Sequence, residues 1–178
     1  KVEFMVRSVG PVRAKDTAEV RLAANDRLLE TLPILRWTLW TDGSVVQPSV
    51  KERLEHPDTS YVQSGWAARL EGPGDVVLST AGSGGSFACT FTTELMTMHA
   101  GLELALAHPS DLLLVVLTDS QALASSLSLG PCGQREWAQI LLWAVLLAVA
   151  ATRKVKVAAK VAVAVARFGP ASCIGSTR

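Results

Sequence analysis

The stretch Trp37-Thr-Leu-Trp-Thr-Asp42-Gly-Ser-Val45 decides how the rest of the chain is interpreted. Its first half is apolar and rich in aromatic residues, which predicts a strand over about residues 35–40. The Asp-Gly-Ser sequence that follows is typical of a turn. We therefore expect Asp42 to end the strand and to hold a carboxylate at the edge of a sheet.

Two further acidic residues occupy comparable positions in the sequence. Glu94 lies in the opening turn of a helix that is predicted to end near Ala107, where Pro109 follows. Asp119 follows the apolar run 112–117, whose lack of alternation predicts a central strand buried on both faces. Acids brought together from two strand ends and a helix predict a metal site, because divalent cations such as Mg²⁺ prefer oxygen ligands.

The remaining pattern predicts the other strands and helices. Two apolar segments flank the turn Glu71-Gly-Pro-Gly-Asp75, which predicts an antiparallel hairpin. The expected elements are an extended arm over 1–15, a helix from a cap at Asp16 to Pro33, strands over 35–40, 62–70, 76–81, 112–117 and 154–166, a loop over 44–61, and helices over 93–107, 119–127 and 134–152, the first of these three capped by Thr92 or Thr93.

This order of elements predicts an α/β fold with one mixed five-stranded sheet. Three early strands form an antiparallel meander, two later strands are parallel, and helices flank the sheet, with an extra helix at the N-terminus. We assign residues 1–34 to an N-terminal arm and helix and residues 35–178 to the domain itself. With 178 residues, 49% of them hydrophobic, the chain is expected to form a single packed domain.

Charge is distributed unevenly along the chain. Residues 1–136 carry eleven basic and all sixteen acidic residues, whereas residues 137–178 carry six basic residues and no acid. A basic segment of this kind is suited to contact with the phosphates of nucleic acid, or it is a solvated face. The three cysteines are widely spaced and contain no Cys-x-x-Cys pair, so we interpret them as reduced packing residues.

The segment 140–151 is almost wholly apolar and predicts a buried helix or an interface with a protein partner. Its length falls short of the roughly 20 residues that span a bilayer, so no membrane insertion is expected. The segment Lys1–Arg13 lacks the apolar core of a signal peptide. This favours an intracellular protein, although the sequence leaves its compartment open.

Four motifs, in this order, resemble the ribonuclease H family. They are Trp40-Thr-Asp42-Gly-Ser44, Gly65-Trp66-Ala67, Thr93-Glu94-Leu-Met-Thr-Met-His-Ala-Gly-Leu-Glu-Leu-Ala105 and Leu117-Thr-Asp119-Ser-Gln-Ala-Leu123. The resemblance covers about residues 36–165 and is closest to the ribonuclease H domain of non-LTR retrotransposon reverse transcriptases. It implies a ribonuclease H-like fold.

The resemblance also implies an activity and a set of site residues. Members cut the RNA strand of RNA–DNA hybrids with two Mg²⁺ or Mn²⁺ ions. By this resemblance Asp42 bridges the ions, and Glu94 and Asp119 complete the catalytic cluster. The substrate-binding residues would then be Gly43, Ser44 and Ser120, beside two of the acids, where phosphate or sugar hydroxyls are expected.

The sequence departs from the family pattern after the last predicted strand. Active members usually add a fourth acid, and often a histidine, in this region. Here no Asp or Glu follows Glu136, no His follows His108, and the segment 168–175 matches the expected loop poorly. Two alternatives to an active nuclease therefore stay open: a non-catalytic ribonuclease H-like module with a nucleic-acid-binding or structural role, and a small-molecule phosphotransferase that uses the Asp-Gly-Ser turn.

Overall fold

A computed structural model describes residues 1–5, 17–55, 62–85 and 89–159 of the chain. Within these ranges the strands are β1 (Val2–Met5), β2 (Arg36–Val46), β3 (Gln63–Glu71), β4 (Val77–Ser83), β5 (Leu113–Thr118) and β6 (Val155–Ala159). The helices are α1 (Ala18–Glu30), α2 (Val50–Glu55), α3 (Thr90–Leu106), α4 (Gln121–Ser128) and α5 (Trp137–Thr152), with a short 3-10 helix at Pro131–Gly133 before α5.

The strands form one mixed sheet in the order β1-β6-β5-β2-β3-β4. β2, β3 and β4 are an antiparallel meander, and β5, β6 and β1 are parallel to β2 or to one another. The α/β fold class and the hairpin are thus confirmed. β2 lies at the centre of the sheet, between its antiparallel partner β3 and its parallel partner β5. β5 can be parallel to β2 because the chain reaches it by a crossover through α3.

One face of the sheet is covered by α3 and α5. β5 supplies Leu114 and Val116 to this core, and α3 supplies Met98 and Leu102, all of them fully buried. α3 approaches the sheet closely at Gly101, where an added Cβ would lie 2.8 Å from a methyl carbon of Leu39. The glycine therefore fixes how near the helix can lie to the central strand.

The opposite face is covered by α1. Leu28 and Leu32 pack on it against Trp40, Val115 and Leu117. The alternate residues of β5 thus enter two separate apolar clusters, which confirms the prediction of a central strand buried on both faces. The assignment of residues 1–34 to a unit apart from the domain stays a prediction.

The sheet has six strands instead of the expected five. The additional strand is β1, which was predicted as part of an unpaired arm and instead lies parallel to β6 at the edge of the sheet. Phe4 contributes to the core, and Glu3 forms an ion pair with Lys156 at 3.4 Å, directly across the strand pair. Residues 6–16, including the predicted cap at Asp16, lie outside the described part, and Thr17 caps α1.

Several other boundaries differ from the sequence prediction. β2 continues to Val46, and α2 forms within the segment predicted as a loop, because Ser49 and Glu52 cap it reciprocally. α3 begins three residues early, with Cys89 as its N-cap in place of Thr92 or Thr93. α5 begins at Trp137 and not at residue 134, and the described part of β6 ends at Ala159.

The two described cysteines, Cys89 and Cys132, are exposed free thiols, so the prediction that they pack in the core was wrong. Cys173 lies outside the described residues. Among the helices of the described ranges, none combines the length and the apolarity needed to cross a bilayer.

Candidate metal centre

Asp42 and Asp119 lie where two parallel strands part. The pairing of β2 with β5 ends at Trp40 and Leu117, and Asp119 follows β5 directly. The sequence suggested that Asp42 ends its strand, but β2 continues beside β3 as far as Val46. The antiparallel partner thus carries the strand past the point where the parallel partner stops, and both carboxylates lie at the carboxyl edge of the parallel pair.

Glu94 reaches the same edge from α3. Carboxylate oxygens of Asp42, Glu94 and Asp119 lie within 4.8 Å of one another. The N–H of Gly43 donates a hydrogen bond of 3.1 Å to Glu94 Oε1. A Cβ on Gly43 would lie 3.0 Å from the backbone N of Glu94, so a glycine is needed for this close approach of helix and strand.

Two buried threonine hydroxyls hold the backbone around these acids. Thr41 Oγ1 donates to Leu117 O at 3.1 Å and ties β2 to β5 just before they separate. Thr97 Oγ1 contacts Thr93 O at 2.8 Å and Asp42 O at 3.3 Å, which ties α3 to β2. Sequence reasoning missed both threonines. Thr41 lies in a strand, where threonine is common, and the only indication for Thr97 was its position three residues after Glu94.

The environment of Glu94 opposes its ionisation. Its side chain is only 3% exposed, and burial, followed by repulsion from Asp119, raises the pKa of Glu94 to about 8. The N–H of Gly43 acts in the opposite direction, because it stabilises the carboxylate. Closely spaced acids in such a site are suited to share a cation, which neutralises the charge that burial makes unfavourable.

Two buried oxygens in the cluster have no hydrogen-bond partner among the residues that the structure describes. They are Glu94 Oε2 and Asp119 Oδ1, and each is shielded from solvent. A buried carboxylate oxygen without a donor is unfavourable unless a cation or water meets it. The donor set consists of oxygens alone, which fits a hard divalent ion such as Mg²⁺ or Mn²⁺.

The three expected substrate-binding residues have distinct positions. The N–H of Gly43 donates its hydrogen bond to Glu94 Oε1. Ser44 is exposed on β2, two residues beyond Asp42, and therefore lies on the same face of the strand. Ser120 caps α4, where its Oγ accepts a hydrogen bond of 3.2 Å from the N–H of Leu123. Ser44 thus has the side chain more available to a ligand.

These features define a class of protein: a mixed α/β domain with an acidic cluster at the carboxyl edge of its two central parallel strands. Among solved structures, the foamy viral protease-reverse transcriptase in complex with an RNA/DNA hybrid is similar, with a TM-score of 0.51 and 13% identity over 83% of this chain and 19% of that one. This chain therefore spans about a fifth of that protein.

Two ribonucleases H1 are also similar. The enzyme from the halophilic archaeon Halobacterium salinarum NRC-1 has a TM-score of 0.46 and 13% identity over 68% of this chain and 83% of that one. LC11-RNase H1 in complex with an RNA/DNA hybrid has a TM-score of 0.47 and 13% identity over 70% of this chain and 86% of that one. No protein-family model and no curated protein sequence matches. The chain is a ribonuclease H-like domain by fold.

Proposed function

We propose that this domain is a metal-dependent endonuclease of the ribonuclease H type that hydrolyses the RNA strand of RNA–DNA hybrids. The observation that carries the proposal is the convergence of Asp42, Glu94 and Asp119 within 4.8 Å at the carboxyl edge of β2 and β5. Two of the similar structures hold an RNA/DNA hybrid, which supports this choice of substrate. The motif resemblance supports an origin in a retroelement.

The three acids would hold Mg²⁺ or Mn²⁺. When bound, such ions lower the pKa of an attacking water and stabilise charge on the departing oxygen. Asp42 and Asp119 are partly exposed and open the site to solvent, whereas Glu94 is buried behind them. Glu94 would give up its proton when a cation arrives, because its pKa lies near 8 in the absence of metal.

We propose further that the nuclease activity of this domain is impaired. A fourth family acid is missing, since residues 137–178 contain neither Asp nor Glu. A site that lacks one ligand is expected to hold one of two ions weakly. The second candidate function follows from the same observation: a catalytically inactive ribonuclease H-like module that binds nucleic acid or serves a structural role in a larger assembly.

The proposal is tested by incubating the protein with a labelled RNA–DNA hybrid in Mg²⁺ or Mn²⁺. We expect cleavage of the RNA strand alone, and none of a DNA duplex of the same sequence. Asp42→Asn should abolish cleavage, because it removes a charge from the cluster. Asp111→Asn is the control, since Asp111 is exposed before β5, at the other end of that strand from Asp119.

The outcomes separate the two candidates. Cleavage that persists in Asp42→Asn contradicts the assigned site. Hybrid binding without cleavage in either ion, with Asp42→Asn binding as well as the original protein, favours the inactive module. Absence of both binding and cleavage contradicts the nuclease and the nucleic-acid-binding module, and favours the structural role.

A further inference from the structure

The outward side of α5 is an exposed apolar surface. We name it the α5 face and define it by Trp137, Ile140, Leu141, Ala144, Leu147, Ala148 and Ala151. Trp137 is 71% exposed and Leu147 is 49% exposed. The inward side of the same helix, which includes Leu142 and Leu146, is buried in the core. The helix is therefore apolar on both sides, unlike an ordinary surface helix, whose outer side is polar.

The α5 face carries no charge, and its one hydrogen-bonding side chain is the Trp137 indole. Among residues 137–151 the one polar side chain besides the two indoles is that of Gln139, which is buried and donates to Ser126 Oγ at 3.2 Å. An uncharged face of this kind cannot attract phosphates, which excludes it as a nucleic-acid contact. An exposed apolar patch of several side chains is instead typical of a protein interface.

The order of large and small side chains along the face is self-complementary. We consider a second copy of α5 packed antiparallel about a two-fold axis at Ala144, so that each residue meets the residue of the second copy that lies at nearly the same level along the helix axis and on the same flank of the helix pair. Trp137 then lies against Ala151 of the second copy, and Leu141 lies against Ala148. Each of these pairs matches a large side chain with a small one, and the small Ala144 at the axis lets the two helices approach closely.

A two-fold axis makes each of these contacts occur twice, as an isologous interface requires. Ile140 and Leu147 form the remaining pair, on one flank of the axis. No side chain on the face would meet a buried charge. In a parallel pair, by contrast, Trp137 would face Trp137 and Ala151 would face Ala151, which would leave gaps beside the alanines.

We propose that the α5 face binds a second copy of this chain, antiparallel and centred on Ala144. α5 is about 24 Å long, so one helix pair buries less than the roughly 800 Å² per partner of a standard interface. The dimer is therefore weak and forms at micromolar or higher protein concentration. This inference does not depend on the proposed nuclease function, because the face lies on residues outside the acidic cluster.

Sedimentation equilibrium of the full chain tests the proposal over about a hundredfold range of micromolar concentrations. We expect a reversible monomer–dimer equilibrium. Ala144→Glu should raise the dissociation constant at least about tenfold, because it places two carboxylates against each other at the axis. Ala138→Glu is the control: Ala138 is exposed on the same helix but points away from the face, and this variant should dimerise like the original protein.

Disulfide cross-linking tests the orientation in a chain whose Cys89, Cys132 and Cys173 are replaced by serine. Ala144→Cys should cross-link to itself, whereas Ala151→Cys should not, because the two copies of residue 151 would lie about 21 Å apart. A chain that stays monomeric at every concentration overturns the proposal, and so does a dimer that Ala144→Glu leaves intact. Equal cross-linking at residues 144 and 151 overturns the antiparallel arrangement.

Discussion

The N–H of Gly43 donates a hydrogen bond to Glu94 Oε1 at 3.1 Å and so joins the central strand to the helix that covers it. This bond occupies one oxygen of the carboxylate, and the other, Oε2, is left without a partner beside Asp119. The position of Glu94 in the acidic cluster therefore depends on how closely α3 approaches β2. That distance is set by the absence of a side chain at residue 43.

Gly43→Ala should push α3 away from β2 and weaken cation binding. The added Cβ would lie 3.0 Å from backbone atoms of Thr93 and Glu94, which cannot move aside without moving the helix. We expect a loss of about 1–3 kcal/mol in the free energy of unfolding, measured by urea denaturation. Manganese affinity should fall as well, measured by calorimetry.

Gly65→Ala provides the matched control on the neighbouring strand. Its Cβ would meet only Gly82 O, at 3.8 Å, which is an ordinary contact. Equal losses of cation affinity in the two variants would contradict the role assigned to Gly43.

Thr97→Val should lower cation affinity without unfolding the domain. Its hydroxyl bonds Thr93 O and also reaches Asp42 O on β2, and valine keeps the shape of the side chain. Thr93→Val is the comparison, because within the described ranges the hydroxyl of Thr93 bonds only to Cys89 O, one turn earlier. We expect both variants to lose about 1 kcal/mol of stability, and Thr97→Val alone to bind Mn²⁺ more weakly. Equal affinities in the two variants would refute a positioning role for Thr97.

Metal-free protein should become less stable as pH rises from about 4.5, the ordinary pKa of a glutamate, to about 8, the pKa of Glu94 in the folded protein. Within this window the folded state holds a proton on Glu94 that the unfolded chain has released. The free energy of unfolding should fall by up to about 1.4 kcal/mol per pH unit and then level off.

Glu94→Gln should remove this dependence, because glutamine does not titrate. Urea denaturation in the presence of a chelator, at several pH values across the window, compares the two proteins. The same slope in both would show that the pH dependence arises elsewhere.

The sequence predicted the acidic cluster for a physical reason. Asp42 and Asp119 each follow an apolar run, and residues that follow parallel strands meet at one edge of the sheet. Glu94 was grouped with them from its position in the opening turn of a predicted helix, and the family resemblance supported that grouping. The exact reach of β2 was not predictable, because its extension to Val46 depends on pairing with β3 and not on its own residues.

Other features depend on contacts between distant parts of the chain. β1 is only four residues long, and its partner β6 begins 153 positions after Val2, so no local pattern marks it as a strand. Trp137 is 71% exposed at the start of α5, although tryptophan side chains are usually largely buried. Composition cannot distinguish an apolar helix side that meets the core from one that faces outward.

Arg153 is a buried cation that the sequence did not reveal. Its guanidinium donates to Ala105 O and His108 O, where α3 ends. Arg153→Ala should therefore lower the free energy of unfolding by about 2–5 kcal/mol, because it removes two hydrogen bonds made by a buried charged donor. Lys154→Ala at the exposed neighbouring position should change stability by less than about 0.5 kcal/mol. Similar urea midpoints for both variants would contradict this role.

Calorimetric titration with Mn²⁺ tests most directly whether the three acids hold divalent cations. We expect saturable binding to one or two sites near neutral pH, lost in Asp119→Asn and retained in Asp111→Asn. Absence of binding, or binding that Asp119→Asn leaves unchanged, would contradict the assignment of Asp42, Glu94 and Asp119 as a metal centre.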